Sequence, residues 1–173
     1  MIDRLIRVFD RGLRTITGIH PLTEDIPDAP STNLSGPEKR RAGSLMRVNH
    51  TGEVCAQALY EGQALTARNA SVRSAMQQAA QEEVAHLVWC RKRLQELDAS
   101  PSVLDPIFFA TSCAMVALAG ALGDRVSLGF IAATEDQVVE HLDRHIDRYV
   151  SYTHLRAHET LRYLVCRLLL EKK

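Results

Sequence analysis

Few of the residues that would commit this chain to a disulfide-stapled, nucleic-acid-binding or disordered class are present. It has 173 residues but only four cysteines, and aromatic residues make up 5%. Cys55, Cys90, Cys113 and Cys166 are far apart with no Cys-x-x-Cys pair. That excludes a zinc-ribbon spacing and fits buried thiols in a reducing compartment better than a disulfide frame. Scarce aromatics count against a base-stacking platform. Net charge is missing too, since 21 Lys and Arg balance 21 Asp and Glu. Neither bulk attraction to nucleic acid nor an acidic tail is therefore indicated, and no nucleic-acid partner is expected. Only 9 Gly and 6 Pro interrupt the chain, too few for a disordered composition. A basic start, a short apolar run and a small-residue cleavage site do not occur together, so no secretory signal is expected. The length suffices for one domain with a core.

Helical periodicity fills this frame. Residues 2–16 place Ile2, Leu5, Ile6, Phe9, Leu13 and Ile16 at helical spacing, with Arg4, Arg7, Arg11 and Arg14 on the other side. Such a basic amphipathic helix, taken as 1–17, either lies in a membrane surface or docks on the domain. Residues 18–34 carry Pro21, Pro27 and Pro30 and read as a linker. Ser35 can cap a helix, with Pro37 in its first turn and Glu38 three residues on. That helix is expected to reach about Arg68, a second to run from Val72 to Leu97, and a fourth from Ser127 to Tyr149. Between the last two lies Ile107–Gly123, apolar except for Thr111 and Ser112. It is slightly short for a membrane span and fits a buried or membrane-facing helix better. No strand pattern competes. The fold class is all-α, a helical bundle.

Two apolar stripes carry ionisable groups. One is Met76, Ala79, Ala80, Glu83, His86, Leu87, Cys90 and Leu94; the other is Leu128, Ile131, Ala132, Glu135, Val138, Val139 and Leu142. A buried carboxylate without a partner costs several kcal/mol, and neither stripe contains Arg or Lys to pair with it. A metal ion is the remaining partner. Glu83 and His86 stand three residues apart on one face and can hold one ion together. Glu-x-x-His on one helix with single Glu residues on its neighbours is the ligand pattern of di-iron carboxylate bundles. Carboxylate and imidazole suit iron or manganese. Glu53 is the third carboxylate, on a mixed stripe with Met46, Asn49, His50, Ala56, Gln57 and Tyr60, where pattern leaves burial open.

Met46–Val54 (MRVNHTGEV), Ala58–Gln63 (ALYEGQ), Gln81–His86 (QEEVAH) and Ala133–Val138 (ATEDQV) together resemble the demethoxyubiquinone hydroxylases, in their bacterial branch. These are ferritin-like di-iron monooxygenases of ubiquinone biosynthesis, and the resemblance covers about residues 35–150. It implies Glu53, Glu83, His86 and Glu135 as metal ligands, with Glu83 bridging two irons. His141 matches a position near the site that does not bind metal. His50, one turn before Glu53, either orients it or has a capping or packing role. No catalytic residue beyond the ligands is implied, and no cofactor-binding residue. The implied reaction is ring hydroxylation of a polyprenyl methoxy-benzoquinol by O2, with NADH or another reductant as electron source. No nucleotide-binding fingerprint is visible. A lipid substrate implies peripheral attachment to the cytoplasmic face of the bacterial cell membrane. A homo-oligomer or a ubiquinone-biosynthesis complex is a further expectation.

One element of the pattern is missing. Two Glu-x-x-His motifs are required, and this chain has one: Glu159 is followed three residues later by Arg162. Residues 151–173 instead resemble a translated sequencing-library adapter, SYTHLRAHET first and LVCRLLLEKK last. The bundle is then expected to be incomplete, lacking its final ligand helix and terminal helix. The printed chain would bind at most one iron and fall short of turnover. Two other readings compete: a ferritin-like protein that stores or oxidises iron without an organic substrate, and a non-catalytic lipid-binding relative.

Overall fold

The computed structural model describes residues 2–20 and 34–146, without the side chains of 139 and 141–146. Most of the 18–34 linker, the 151–173 segment and the His141 side chain lie outside the described residues. The elements are α1 (Ile2–Thr17), α2 (Gly36–Thr66), α3 (Ala70–Glu96), α4 (Asp105–Leu122) and α5 (Asp124–Ile146). Among the described residues there is no strand, so the fold is the all-α bundle expected.

Local chemistry sets the boundaries. At the start of α2 the Glu38 carboxylate accepts from the Ser35 backbone N–H at 2.9 Å and from the Ser35 hydroxyl. Asn69 caps α3 by accepting from Ser71 N–H at 2.8 Å, so α3 begins two residues before Val72. The break between α4 and α5 is Gly123 alone, at φ +126°, a backbone conformation costly to other residues. Asp124 accepts from the backbone N–H groups of Arg68 and Asn69 at 3.0 and 2.8 Å. It thereby ties the start of α5 to the α2–α3 turn, and α5 begins three residues earlier than expected.

α2 is the central helix and packs on α3 and α4. Gly62 permits the second contact, since a Cβ there would lie 2.8 Å from the Cys113 carbonyl oxygen. Two apolar clusters occupy the ends of the α2–α3 pair. Ala42 and Met46 meet Cys90, Leu94 and Leu97 at one end. Leu59, Tyr60 and Ala64 meet Val72, Met76 and Ala80 at the other, with Val116, Leu128 and Ile131. Between them Val54, Ala58 and Leu87 pack with Phe109, alongside buried polar residues.

The outer helices reverse the usual polarity. α1 docks through its polar side: Arg11 Nη1 donates to Glu61 Oε1 at 2.6 Å, and Gly12 sits against the Phe109 ring. Arg91 donates to the carbonyls of Ile16 and Thr17 at 2.9 and 2.6 Å, satisfying the end of the helix. Ile2, Leu5, Ile6, Phe9 and Leu13 consequently face outward, Phe9 69% exposed. The sequence offered docking and membrane contact as alternatives; the helix docks while keeping its apolar stripe exposed. α4 buries Phe109, Ser112, Val116 and Gly120 against the bundle and exposes Ile107, Phe108, Met115, Leu118 and Leu122. By length and composition it could cross a membrane, but one face is committed to α2.

Candidate metal centre

Midway along the α2–α3 pair, Glu53, Glu83 and His86 each present one ligating atom, all within 4.8 Å of one another. His86 Nδ1 lies 3.2 Å from Glu83 Oε2 and 3.7 Å from Glu53 Oε2. The i, i+3 spacing puts Glu83 and His86 on one face of α3, and the antiparallel packing of α2 brings Glu53 opposite. All three residues are buried, Glu83 completely. The mixed stripe of α2 is buried as well: Met46, Asn49, His50, Glu53, Gln57 and Tyr60 are all inside, Ala56 partly. Its polar members had obscured this in the sequence.

The donor set fits a divalent ion of the iron or manganese kind: two carboxylates, one imidazole, no thiolate. No hydrogen-bond partner among the described residues reaches Glu53 Oε2. Two carboxylates brought together away from water repel each other unless a cation or proton sits between them. A cation held between them would remove that repulsion.

Glu135, the fourth expected ligand, is buried on α5 and accepts a short hydrogen bond from the Tyr60 hydroxyl of α2. It is not among the three converging residues. Tyr60 was visible as a member of the mixed stripe that carries Glu53, but its role as donor to a carboxylate on another helix was not. His50 Nδ1 lies 3.1 Å from Asp105 Oδ2 at the start of α4, and Asp105 Oδ1 accepts from the Thr51 hydroxyl at 2.7 Å. This buried link pins α4 to the helix that carries Glu53. Asp105 gave no sequence signal, because one acidic residue beside Pro106 reads as an ordinary helix start.

A second buried carboxylate was missed. Glu61 is 3% exposed; burial pushes its pKa up, and the Arg11 guanidinium beside it pulls the other way. Gln57 Nε2, between Glu53 and Glu61 on α2, donates to Glu61 Oε1 at 3.4 Å. Asn49, Glu53, Gln57 and Glu61 thus form a buried polar row at successive turns of one helix.

Comparison with known proteins now decides the family. Residues 40–168 match the family described as ubiquinone biosynthesis protein COQ7. The chain belongs to that family. A relative from Burkholderia cenocepacia, named 3-demethoxyubiquinol 3-hydroxylase, is 52% identical over 149 residues, 84% of this chain and 72% of the relative. One of the same name from Ralstonia pickettii is 51% identical over 160 residues, 85% of this chain and 74% of its own. A third, from Azotobacter vinelandii, is 52% identical over 147 residues, covering 83% and 68%. No solved structure matches the chain. The chain is thus an enzyme of a hydroxylase family serving ubiquinone biosynthesis.

Proposed function

We propose that this protein takes part in hydroxylating the ring of a polyprenyl methoxy-benzoquinol, with O2 as oxygen source and NADH or another two-electron reductant. Glu53, Glu83 and His86 would hold one iron, and Glu135 would serve a second where a second Glu-x-x-His completes the site. Bound iron supplies the activation of O2. The chain's own residues hold that iron away from bulk water and fix the carboxylates, Glu135 through Tyr60. The observation that carries this reading is the convergence of three buried ligating groups within 4.8 Å, two of them on the otherwise apolar stripe of α3. The names of the relatives supply the substrate. A protein acting on such a lipid works at a membrane, and we place it peripherally on the cytoplasmic face of a bacterial one. Exposed apolar residues on α1 and α4 support this. An iron store without an organic substrate has no use for them.

The test has two stages. The purified chain should bind ferrous iron, at most one ion per chain, and lose it in Glu83→Ala. Replacing residues after 150 with a helix bearing a second Glu-x-x-His should raise the count to two. That variant should convert demethoxyubiquinol to the hydroxylated quinol under O2, detected by mass spectrometry. An ion bound as tightly in Glu83→Ala as in the parent would sink the ligand assignment; two ions without product in the restored variant would sink the substrate.

A further inference from the structure

A cavity of about 160 Å³ lies between α1, α2 and α3, its lining including Asp10, Arg11, Arg14, His20, Gln57, Ala80 and the exposed Gln81. None of the three ligating residues lines it, but two of its lining residues lie one helical turn from them. Gln57 is one turn beyond Glu53 on α2, and Ala80 is one turn before Glu83 on α3. Three of the residues that line it, Asp10, Arg11 and Arg14, are charged, which suits water better than a prenyl chain. Two buried atoms there, Gln57 Oε1 and His20 Nε2, have no hydrogen-bond partner among the described residues. Gln57 itself is 2% exposed, and its amide N–H is already turned to Glu61, leaving the carbonyl oxygen to accept. A buried acceptor in a polar space with room for several water molecules is a hydration site.

Position decides what such a space is for. Arg11 and Arg14 lie on the side of α1 away from the exposed stripe of Leu5, Phe9 and Leu13, by the 100° step of a helix, with Asp10 on the flank between. The cavity therefore opens away from the apolar surface that α1 and α4 present. Insertion of one oxygen atom into a ring C–H bond follows ArH + O2 + 2 e⁻ + 2 H⁺ → ArOH + H2O. The two electrons come from the reductant, the second oxygen atom leaves as water, and two protons must come from outside an apolar core. We infer that this cavity is the water-side entrance through which water and protons reach the Glu53–Glu83–His86 group, with Gln57 as the positioning residue at its inner end. The inference rests on the metal reading above and extends it: the lipid arrives from one side of α1, protons from the other.

Water access is measurable without turnover. Mn²⁺ suits the same donor set, and its unpaired electrons speed the relaxation of every water proton that exchanges near it. Water-proton relaxation of the Mn²⁺-loaded protein should reveal rapid exchange. Gln57→Leu, an apolar replacement of similar size at the inner end, should slow that exchange at least severalfold. Gln81→Trp, at the exposed rim where folding is not at stake, should slow it as well, and both should keep Mn²⁺ affinity within about twofold. Unchanged relaxation in Gln81→Trp and in folded Gln57→Leu would overturn the entrance while leaving the metal site standing. Failure of the parent chain to bind Mn²⁺, or binding undiminished in Glu83→Ala, would remove the metal reading and this inference with it.

Discussion

The α2–α3 interior and the α1–α4 exterior depart from the usual arrangement in opposite directions. In the interior, Glu53, Glu83 and His86 stand where a soluble domain would place Leu or Ile. On the exterior, Phe9, Leu118 and their neighbours stand where it would place Lys or Glu. Each arrangement costs free energy in an isolated chain: charge buried in one case, apolar area left in water in the other. On the function proposed above, each is relieved by something from outside, a cation for the interior and a lipid surface for the exterior. The two regions are joined by Arg11–Glu61, Gly12–Phe109 and the His50–Asp105 link, so the apolar surface is fixed relative to the buried ligands.

The largest expected effect tests the interior. At a hundredfold excess over Kd, a metal ion stabilises the native state by about 2.7 kcal/mol. For a chain of this size that is roughly 5–10 °C in Tm. Glu83→Ala should abolish the shift and weaken binding more than the roughly 10–100-fold typical of residues that only support a ligand. Calorimetric scans with and without Mn²⁺ check both. An equal shift in the variant would leave the buried carboxylates without their compensation and break the comparison.

The exterior is tested by Phe9→Glu and Leu118→Glu, separately and together. Burying one such side chain in lipid is worth about 1.5–3 kcal/mol. Each change should lower partitioning onto anionic vesicles roughly 10–100-fold, with metal affinity untouched. Raising salt should weaken the remaining binding, because Arg4 and Arg7 are exposed and their attraction is screened. Undiminished vesicle binding in the double variant would show that the exposed stripe is not the lipid-facing side.

Tyr60→Phe separates the two carboxylate environments within the interior. It removes the hydroxyl that donates to Glu135 and should cost about 1–3 kcal/mol, read from urea midpoints of the metal-free protein. Metal bound by Glu53, Glu83 and His86 should be retained. If metal affinity falls as sharply as in Glu83→Ala, Glu135 belongs to the same ion as the other three.

Much of this arrangement could be read from the sequence, for physical reasons that also explain what could not. The helices and the Glu83–His86 pair were visible because apolar periodicity and i, i+3 spacing are local properties of one chain segment. Glu135 stood out because everything else on its stripe is apolar. Glu53 did not, because Asn49, Gln57 and Glu61 share its face, and a row of polar residues looks solvated until a second helix covers it. The orientation of α1 was equally illegible: its apolar stripe is clear, yet contacts with distant segments, Arg11–Glu61, Gly12–Phe109 and Arg91 at its end, decide that another side docks. Tyr60–Glu135 and His50–Asp105 join distant segments, which spacing does not encode.

The smallest effect concerns that docking contact and its dependence on pH. Burial raises the Glu61 pKa above its usual 4.5, with Arg11 offsetting part of the rise. The native chain then holds this proton at pH values where the unfolded chain has released it. Its contribution to stability is fully present below 4.5 and is lost as pH rises through the folded-state pKa. Glu61→Gln keeps an acceptor for Arg11 but cannot titrate. The stability of the parent relative to this variant should fall from pH 4.5 upward and level off once Glu61 ionises in the native state. In Arg11→Ala the decline should extend to higher pH, because the guanidinium that favours the ionised form is gone. Urea midpoints at fixed ionic strength give both curves. A difference that instead grew with pH would mean the Arg11 pair outweighs burial, making the α1 dock an ion pair maintained near neutrality.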